Sequence, residues 1–193
     1  MKITKAVFPL AVAGIVILPF AHALGGQMLH DKVPPAIARL QLRPTGPLPA
    51  TNRLDLAISL PLRDQAALDR LLSEIYDPAS TNYHRYLTPE QFAERFGPTE
   101  QDYQSLIKFA KTNGLTVTAT HPNRALLDVS GSVATIEKVF HVTMFAYQHP
   151  TEKRTFYAPD REPSIDFDIP ILDVTGLDNF ELPRPADNKR APP

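Results

Sequence analysis

The sequence predicts an α+β fold in which helices cover one face of an antiparallel sheet. Two observations lead to this class. Short segments with alternating apolar and polar residues indicate strands, and longer segments with apolar residues three and four positions apart indicate helices. Along the chain these segments run strand, helix, two further helices, strand, strand, helix, strand. That is the order of a ferredoxin-like split βαβ sandwich, here with a two-helix insert.

Residues 24–52 are rich in proline and show little periodicity, so we predict an extended or partly ordered lead-in there. The first strand is expected at residues 54–60, where leucine and isoleucine alternate with polar or small residues. A helix follows over residues 64–76. It ends before Pro78, because the residue preceding a proline is pushed out of the helical region.

Two more helices have clear start and stop signals. Thr88, Pro89 and Gln91 form a capping box with proline at the first helical position, and this helix should end near Gly97. Thr99 caps the next helix, which is expected to reach the Asn113-Gly114 stop signal.

The second half supplies the remaining strands. Residues 115–119 and 125–129 are predicted to form a hairpin, and Ser132 caps a helix that ends near residue 140. A strand at residues 142–146 completes the predicted core sheet, and residues 156–157 add an edge strand. Because such a sheet leaves one face uncovered, we expect that face to bind a partner, mostly through apolar contact.

Composition excludes several functional classes. The 193 residues contain 20 Lys+Arg and 21 Asp+Glu, so the chain lacks the basic excess expected of a nucleic-acid-binding protein. An RNA-binding sheet would also need aromatic motifs with basic flanks, which are not evident. The lack of cysteine excludes a disulfide scaffold, a thiol nucleophile and a Cys-ligated metal site.

The first 23 residues have the features of a secretory signal peptide. Lys2 and Lys5 precede an apolar run at residues 6–20, and Ala21 and Ala23 occupy the two positions where signal peptidase requires small side chains. The run is shorter than the roughly 20 residues of a membrane span. We therefore predict cleavage after Ala23, export to the medium or the periplasm, and no membrane attachment afterwards.

Several blocks resemble, in the same order along the chain, the activation propeptide of sedolisin-type serine-carboxyl peptidases, the kumamolisin group. They are YDPASTNYHRYLTPEQF at 76–92, FGPT at 96–99, NGL at 113–115, NR at 123–124, SG at 130–131 and VTGLDNF at 174–180. The resemblance covers residues 53–180, which we assign as a prodomain. Its signature residues are Tyr76, Asp77, Pro78, Tyr83, His84, Tyr86, Leu87, Thr88, Pro89, Phe96, Gly97, Asn123 and Arg124.

The resemblance implies a prodomain that assists the folding of a subtilisin-like catalytic domain and blocks its active site until acid-triggered cleavage. In that family the catalytic domain carries the Glu/Asp/Ser triad, the Ser-Gly-Thr-Ser motif and a calcium site. The matching blocks include none of these, so we predict a chain that is not itself an enzyme and holds no cofactor. The partner would be a sedolisin-type catalytic domain. Residues 181–193 would form a disordered linker that crosses its cleft.

Alternatives remain for the role of the chain and for its individual residues. The chain could be a fragment of a full peptidase, a free-standing inhibitor or a remnant. Ser130-Gly131-Ser132 superficially resembles a nucleophile motif, but it lacks the Thr-Ser pair, and a serine nucleophile needs a general base. The histidines at 22, 30, 84, 121, 141 and 149 are scattered, and none is spaced to serve a serine. His84 could be a structural loop histidine or a pH-sensitive contact. Asp166 and Asp168 indicate a solvated acidic loop, because the EF-hand pattern is missing.

Overall fold

A computed structural model describes residues 26–182, so the predicted signal peptide, with Ala21, His22 and Ala23, and residues 183–193 of the predicted tail lie outside the described residues. Within this range no helix is long and apolar enough to cross a membrane. The elements in chain order are β1 (Gln27–Met28), α1 (Pro35–Arg39), β2 (Pro44–Pro47), β3 (Arg53–Ser59), α2 (Gln65–Tyr76), α3 (Pro89–Phe96), α4 (Glu100–Thr112), β4 (Thr116–Thr120), β5 (Leu126–Ser132), α5 (Val133–Phe140), β6 (Met144–Gln148), β7 (Thr155–Pro159), β8 (Ser164–Ile165) and β9 (Asp173–Thr175).

The main layer is a four-stranded antiparallel sheet in the order β4-β5-β3-β9, and it confirms the predicted α+β class. Alternation places Leu54, Leu56 and Ile58 of β3 on one face, where all three are buried. Ile58 pairs with Leu127 on one side and with Val174 on the other. The apolar stripes of α4 and α5 complete this core.

The fourth strand of this sheet is not the one that the sequence predicts. Residues 142–146 are predicted to complete the core sheet, but the strand there, β6, lies between β2 and β7 in a separate three-stranded sheet. The place beside β3 belongs to β9 instead. Local alternation shows that a strand has a buried face, but it does not show which distant strand will pair with it. The edge strand predicted at 156–157 is found, as part of β7.

The two-helix insert also differs from the predicted one. The expected order placed the first helix on the sheet, but the sheet is covered by α4 and α5. Helices α2 and α3 bury their apolar residues in a separate small cluster, formed by Leu68, Leu71, Ile75 and Phe96. The insert is therefore α2–α3. An amphipathic stripe predicts that a helix is buried on one face but not what covers that face.

The predicted lead-in, residues 24–52, is more ordered than expected, because it contains β1, α1 and β2. Strand β1 pairs with β8, and β2 pairs with β6. The Gln27 side-chain amide donates to Phe167 O and to Ile169 O at 2.8 Å, and its oxygen accepts from Ile171 N at 2.9 Å. These partners are about 140 residues away along the chain, so local periodicity could not indicate them.

Candidate functional site

The face of the four-stranded sheet that points away from α4 and α5, here called the outer face, is polar. Because Leu54, Leu56 and Ile58 point inward, Asp55 and Ala57 point outward. Their neighbours across the ladders share this face, and they are Ser130 opposite Asp55, Asp128 and Thr175 opposite Ala57, and Thr116 opposite Ser130. The expectation of a mainly apolar binding face is wrong. Small and charged side chains form this surface, and all of them except buried Ser130 are at least partly exposed.

A shallow open groove of about 320 Å³ runs over the middle of the outer face, between Asp55, Ala57, Asp128 and Thr175. One end of the groove is formed by Gly176, which has a φ of +94°. A β-carbon at this position would lie 2.3 Å from the carbonyl oxygen of Asp55. Only glycine therefore lets the segment after β9 approach β3 so closely.

A histidine and an arginine form hydrogen bonds with polar side chains of the outer face. His121 Nε2 lies 3.0 Å from Asp128 Oδ2, and the Arg53 guanidinium donates to Ser130 Oγ at 3.2 Å. The Tyr103 hydroxyl fixes the backbone of His121, because it accepts from His121 N at 3.0 Å while it donates to Leu126 O at 2.7 Å. Burial raises the pKa of the Tyr103 phenol, and the bond from His121 only partly opposes this.

Part of the predicted signature joins the insert to the sheet. The Arg124 guanidinium donates to Pro98 O at 2.9 Å and to Ala93 O at 3.0 Å, and it lies 3.5 Å from the Glu94 carboxylate. A β-carbon on Gly97 would lie 2.7 Å from both Ala93 O and Asn123 O, so a glycine is required where the β4–β5 turn meets the end of α3. Phe96 is buried beside this contact.

Arg63 completes this junction, a role that was not predicted from the sequence. Its side chain donates to Gly97 O at 2.5 Å and to Glu94 O at 2.6 Å. Two guanidiniums therefore bind carbonyls at and just beyond the carboxyl end of α3, where few backbone N–H groups are available, although Ala93 O also accepts from Gly97 N at 3.0 Å. A lone arginine between a strand and a helix gives no pattern that would indicate this role.

The other signature residues form an exposed turn between α2 and α3. The Tyr83 and His84 rings stack with centroids 3.8 Å apart, and the Tyr86 ring centroid lies 6.1 Å from that of His84. His84 N donates to Ile75 O at 3.0 Å, so its backbone has a structural role. Whether its exposed ring senses pH stays a prediction. The remaining members are exposed Tyr76, the turn residues Asp77 and Pro78, Leu87 against the small cluster, and Thr88 and Pro89 at the start of α3.

The serines singled out earlier have structural partners. Ser132 Oγ accepts from Thr135 N at 3.2 Å, which confirms it as the cap of α5. Buried Ser130 accepts from Arg53, and a β-carbon on Gly131 would meet the Leu115 side chain.

One histidine does contact a serine, contrary to the expectation from spacing. His141 Nδ1 lies 3.1 Å from Ser164 Oγ, and its Nε2 lies 3.5 Å from Asp166 Oδ2. His141 and Asp166 are both about half exposed to solvent, and the contact ties β8 to the end of α5. Asp168 and His30 are exposed. In residues 26–182, no three His, Cys, Asp or Glu side chains are grouped to hold a metal ion.

The segment that follows β9 is attached to the β6–β7 hairpin. Asn179 Oδ1 accepts from Tyr157 N at 2.7 Å, and the Arg154 guanidinium donates to Asn179 O at 2.8 Å and to Phe180 O. Residues 179 and 180 are therefore fixed to the surface of the domain.

Comparisons with known proteins identify a family for most of the chain. The family described as Pro-kumamolisin, activation domain, matches residues 41–180, so the match begins inside the predicted lead-in. Sedolisin from Pseudomonas sp. (strain 101) is 29% identical over 114 residues, which are 58% of this chain and 19% of that protein. Xanthomonalisin from Xanthomonas sp. (strain T-22) is 30% identical over 137 residues, 70% of this chain and 16% of that protein. Kumamolisin from Bacillus sp. (strain MN-32) is 27% identical over 139 residues, 71% and 25% respectively. The matched part thus spans a quarter or less of each relative.

Proposed function

Because the chain belongs to the pro-kumamolisin activation domain family, we propose that it is a secreted prodomain that folds and inhibits a sedolisin-type serine-carboxyl peptidase. The observation that carries this proposal is the family match over residues 41–180. The chain is an activation domain and not the catalytic domain of such a peptidase. We expect it to hydrolyse no peptide and to need no cofactor.

The outer face is the surface proposed to dock on the catalytic domain. Its central residues are small, so another protein can approach the strands closely over Ala57 and Thr175. The carboxylates of Asp55 and Asp128 can accept hydrogen bonds from donors on the partner. Charge-assisted hydrogen bonds of this kind fix the orientation of the partner and also add affinity. A specific interface of ordinary size buries about 1,600 Å² in total.

The segment after Phe180 is proposed to occupy the active-site cleft as a substrate would. Support comes from the bonds of Arg154 and Tyr157 to residues 179 and 180, which fix where this segment leaves the domain. Removing residues 181–193 should weaken inhibition but leave the fold intact, because the core includes none of the described residues after Phe180.

Acid is the proposed signal for release. A carboxylate that pairs with a cation in the complex has a lowered pKa there, so its contribution is present above the free value of about 4 and is lost as pH falls through the bound value. One pKa unit corresponds to about 1.4 kcal/mol. Three such groups would weaken binding by roughly 10²- to 10³-fold on acidification.

Two forms of the protein would make the same contact between the outer face and the catalytic domain. One is a precursor in which this domain precedes the peptidase, and the other is a separate inhibitor that acts in trans. The relatives favour the first form, since the matched part is at most 25% of each of the three proteins compared. A fragment of such a peptidase remains an equivalent description of the same domain.

The experiment is a titration of the purified chain against a mature sedolisin-type peptidase at pH 6.5 and pH 4, with and without residues 181–193. We expect inhibition that is strong at pH 6.5 and weaker at pH 4, and weaker again in the shortened chain. Equal inhibition at both pH values would remove the acid-release mechanism. A lack of inhibition at both, with no gain in the refolding yield of the denatured peptidase, would contradict the prodomain role.

A further inference from the structure

His149 lies at the end of β6 with its side chain buried, and only 8% of the residue is exposed. Its Nδ1 accepts hydrogen bonds from the backbone N–H of Glu152 at 3.0 Å and of Thr151 at 3.3 Å. Backbone N–H groups can only donate, so this nitrogen carries a lone pair and Nε2 carries the ring proton. The hydrogen bonds thus select one neutral tautomer of His149.

The same ring holds the segment that leaves the domain. The Phe180 ring stacks on His149 with centroids 4.8 Å apart, and it meets Phe156 edge-on at 5.0 Å. Phe156 is buried and also packs against the edge of the His149 ring. Phe180 is therefore held between a histidine that can titrate and a core phenylalanine that cannot.

We propose that His149 is a pH-sensitive latch for Phe180 and for the chain that follows it. A second proton on the imidazole must go to Nδ1. The new Nδ1–H then faces the backbone N–H groups of Thr151 and Glu152, from which the unprotonated Nδ1 accepted hydrogen bonds. Both hydrogen bonds are lost. The turn at residues 150–152 opens, the ring loses its fixed orientation, and Phe180 is released from it.

Three cations and two carboxylates lie around His149, so no excess of acidic groups favours a charged ring and the proposal rests on hydrogen-bond geometry. Arg154 and Glu152 lie on the same hairpin and form an ion pair with each other, and exposed Lys153 lies at its tip. Arg39 from α1 and Glu181 from the departing segment line the same cavity of about 510 Å³. The Thr151 hydroxyl is 3.5 Å from Nδ1, at the limit of hydrogen bonding, and it is a poor substitute for the lost bonds.

The biological use of the latch rests on the proposed function, since release of the Phe180 ring would loosen the start of the segment proposed to occupy the peptidase cleft, while Arg154 still binds the carbonyls of Asn179 and Phe180. The latch itself belongs to this chain alone. A test without any peptidase can therefore fail while the prodomain role stands, and the reverse also holds.

The first test uses a fluorescent reporter, because the chain contains no tryptophan. In the purified chain with Phe180→Trp, we expect the emission maximum to shift reversibly to longer wavelength between pH 8 and pH 4.5, with unchanged far-ultraviolet circular dichroism. His149→Asn in this background should abolish the shift, because the asparagine oxygen can still accept but does not titrate. His141→Asn is the matched control at an exposed histidine and should leave the shift unchanged. His149→Phe is a second non-titrating variant that keeps the aromatic stack.

The second test reads the tautomer directly. In the wild-type chain at pH 7.5, long-range ¹H–¹⁵N correlation spectra should show His149 Nδ1 without a proton and Nε2 with one. In the acid-opened form both nitrogens should carry a proton, and the amides of Thr151 and Glu152 should lose their protection from hydrogen exchange. A proton on Nδ1 at pH 7.5 would overturn the latch. So would an emission shift that persists in both His149 variants, or one that only accompanies global unfolding.

Discussion

The two faces of the four-stranded sheet are built from the same strands but under different constraints. On the inner face the central strands β3, β5 and β9 carry apolar residues that are almost fully buried, as Ile58, Leu127 and Val174 show. On the outer face the intervening positions hold Asp55, Ala57 and Asp128. The inner face determines whether the chain folds. Side chains on the outer face contribute little to the free energy of unfolding, so they can be suited to a partner without loss of stability. Substitutions on the two faces test this contrast residue by residue.

The largest effect is expected on the inner face. Leu127→Ala removes a side chain with no exposed surface and leaves a cavity, which typically costs 2–5 kcal/mol, here about 3 kcal/mol. Urea unfolding followed by circular dichroism measures this loss. Leu172→Ala is the matched control, because Leu172 is 65% exposed, and it should change the free energy of unfolding by less than about 0.5 kcal/mol. A similar small loss in Leu127→Ala would show that the inner face is not the main source of stability.

A smaller effect is expected where the insert meets the sheet. Arg124→Ala leaves Pro98 O without its charged donor and removes one of the donors to Ala93 O, for a loss of about 2 kcal/mol. Arg124→Lys should rescue little, because a single ammonium cannot replace the planar fork. Hydrogen exchange should show faster exchange in α2 and α3 than in β5, while the control Arg85→Ala changes neither. Uniform loss of protection across the sheet would mean that the insert and the core unfold as one unit.

Tyr103 connects the inner helix α4 to the rim of the outer face, so its loss should cost less again. Tyr103→Phe removes two hydrogen bonds and is expected to lower the free energy of unfolding by about 1 kcal/mol at pH 7. Since burial raises the pKa of Tyr103, its stabilisation is present below the free value of about 10 and is lost as pH rises through the folded value. The variant should therefore lose less stability at alkaline pH than the wild type. Tyr76→Phe, at a residue that is 69% exposed, should behave as the wild type.

The smallest effect on stability is expected on the outer face itself. Ala57→Gln enlarges a side chain that points into the open groove, and the free energy of unfolding should change by less than about 0.5 kcal/mol. Ala134→Gln provides the same substitution at an exposed position of α5, on the other side of the sheet. Thermal unfolding of both variants checks this. A large loss in Ala57→Gln alone would mean that the outer face is packed by its own fold.

Local features of this fold were predictable from the sequence, and long-range ones were not. The caps at Thr88, Thr99 and Ser132 depend on residues three positions apart, and all three are found. The pairing of β9 with β3 joins segments more than 100 residues apart and leaves no periodic trace.

Residues of the candidate site likewise fall into those that the sequence indicated and those that it did not. The signature residues Gly97 and Arg124 were identified through the family resemblance, and the structure supplies their physical reason. Arg63 and His149 were missed as functional candidates, because their roles depend on carbonyls and rings that only the folded chain brings near.

Docking through the outer face is tested most directly by comparing how the Ala57→Gln and Ala134→Gln chains inhibit one mature sedolisin-type peptidase at pH 6.5. If the outer face docks on the catalytic domain, Ala57→Gln should raise the inhibition constant at least tenfold, about 1.4 kcal/mol, while Ala134→Gln leaves it unchanged. Equal inhibition constants for the wild type and Ala57→Gln, with both chains folded, would contradict the central claim that this polar sheet face is the binding surface.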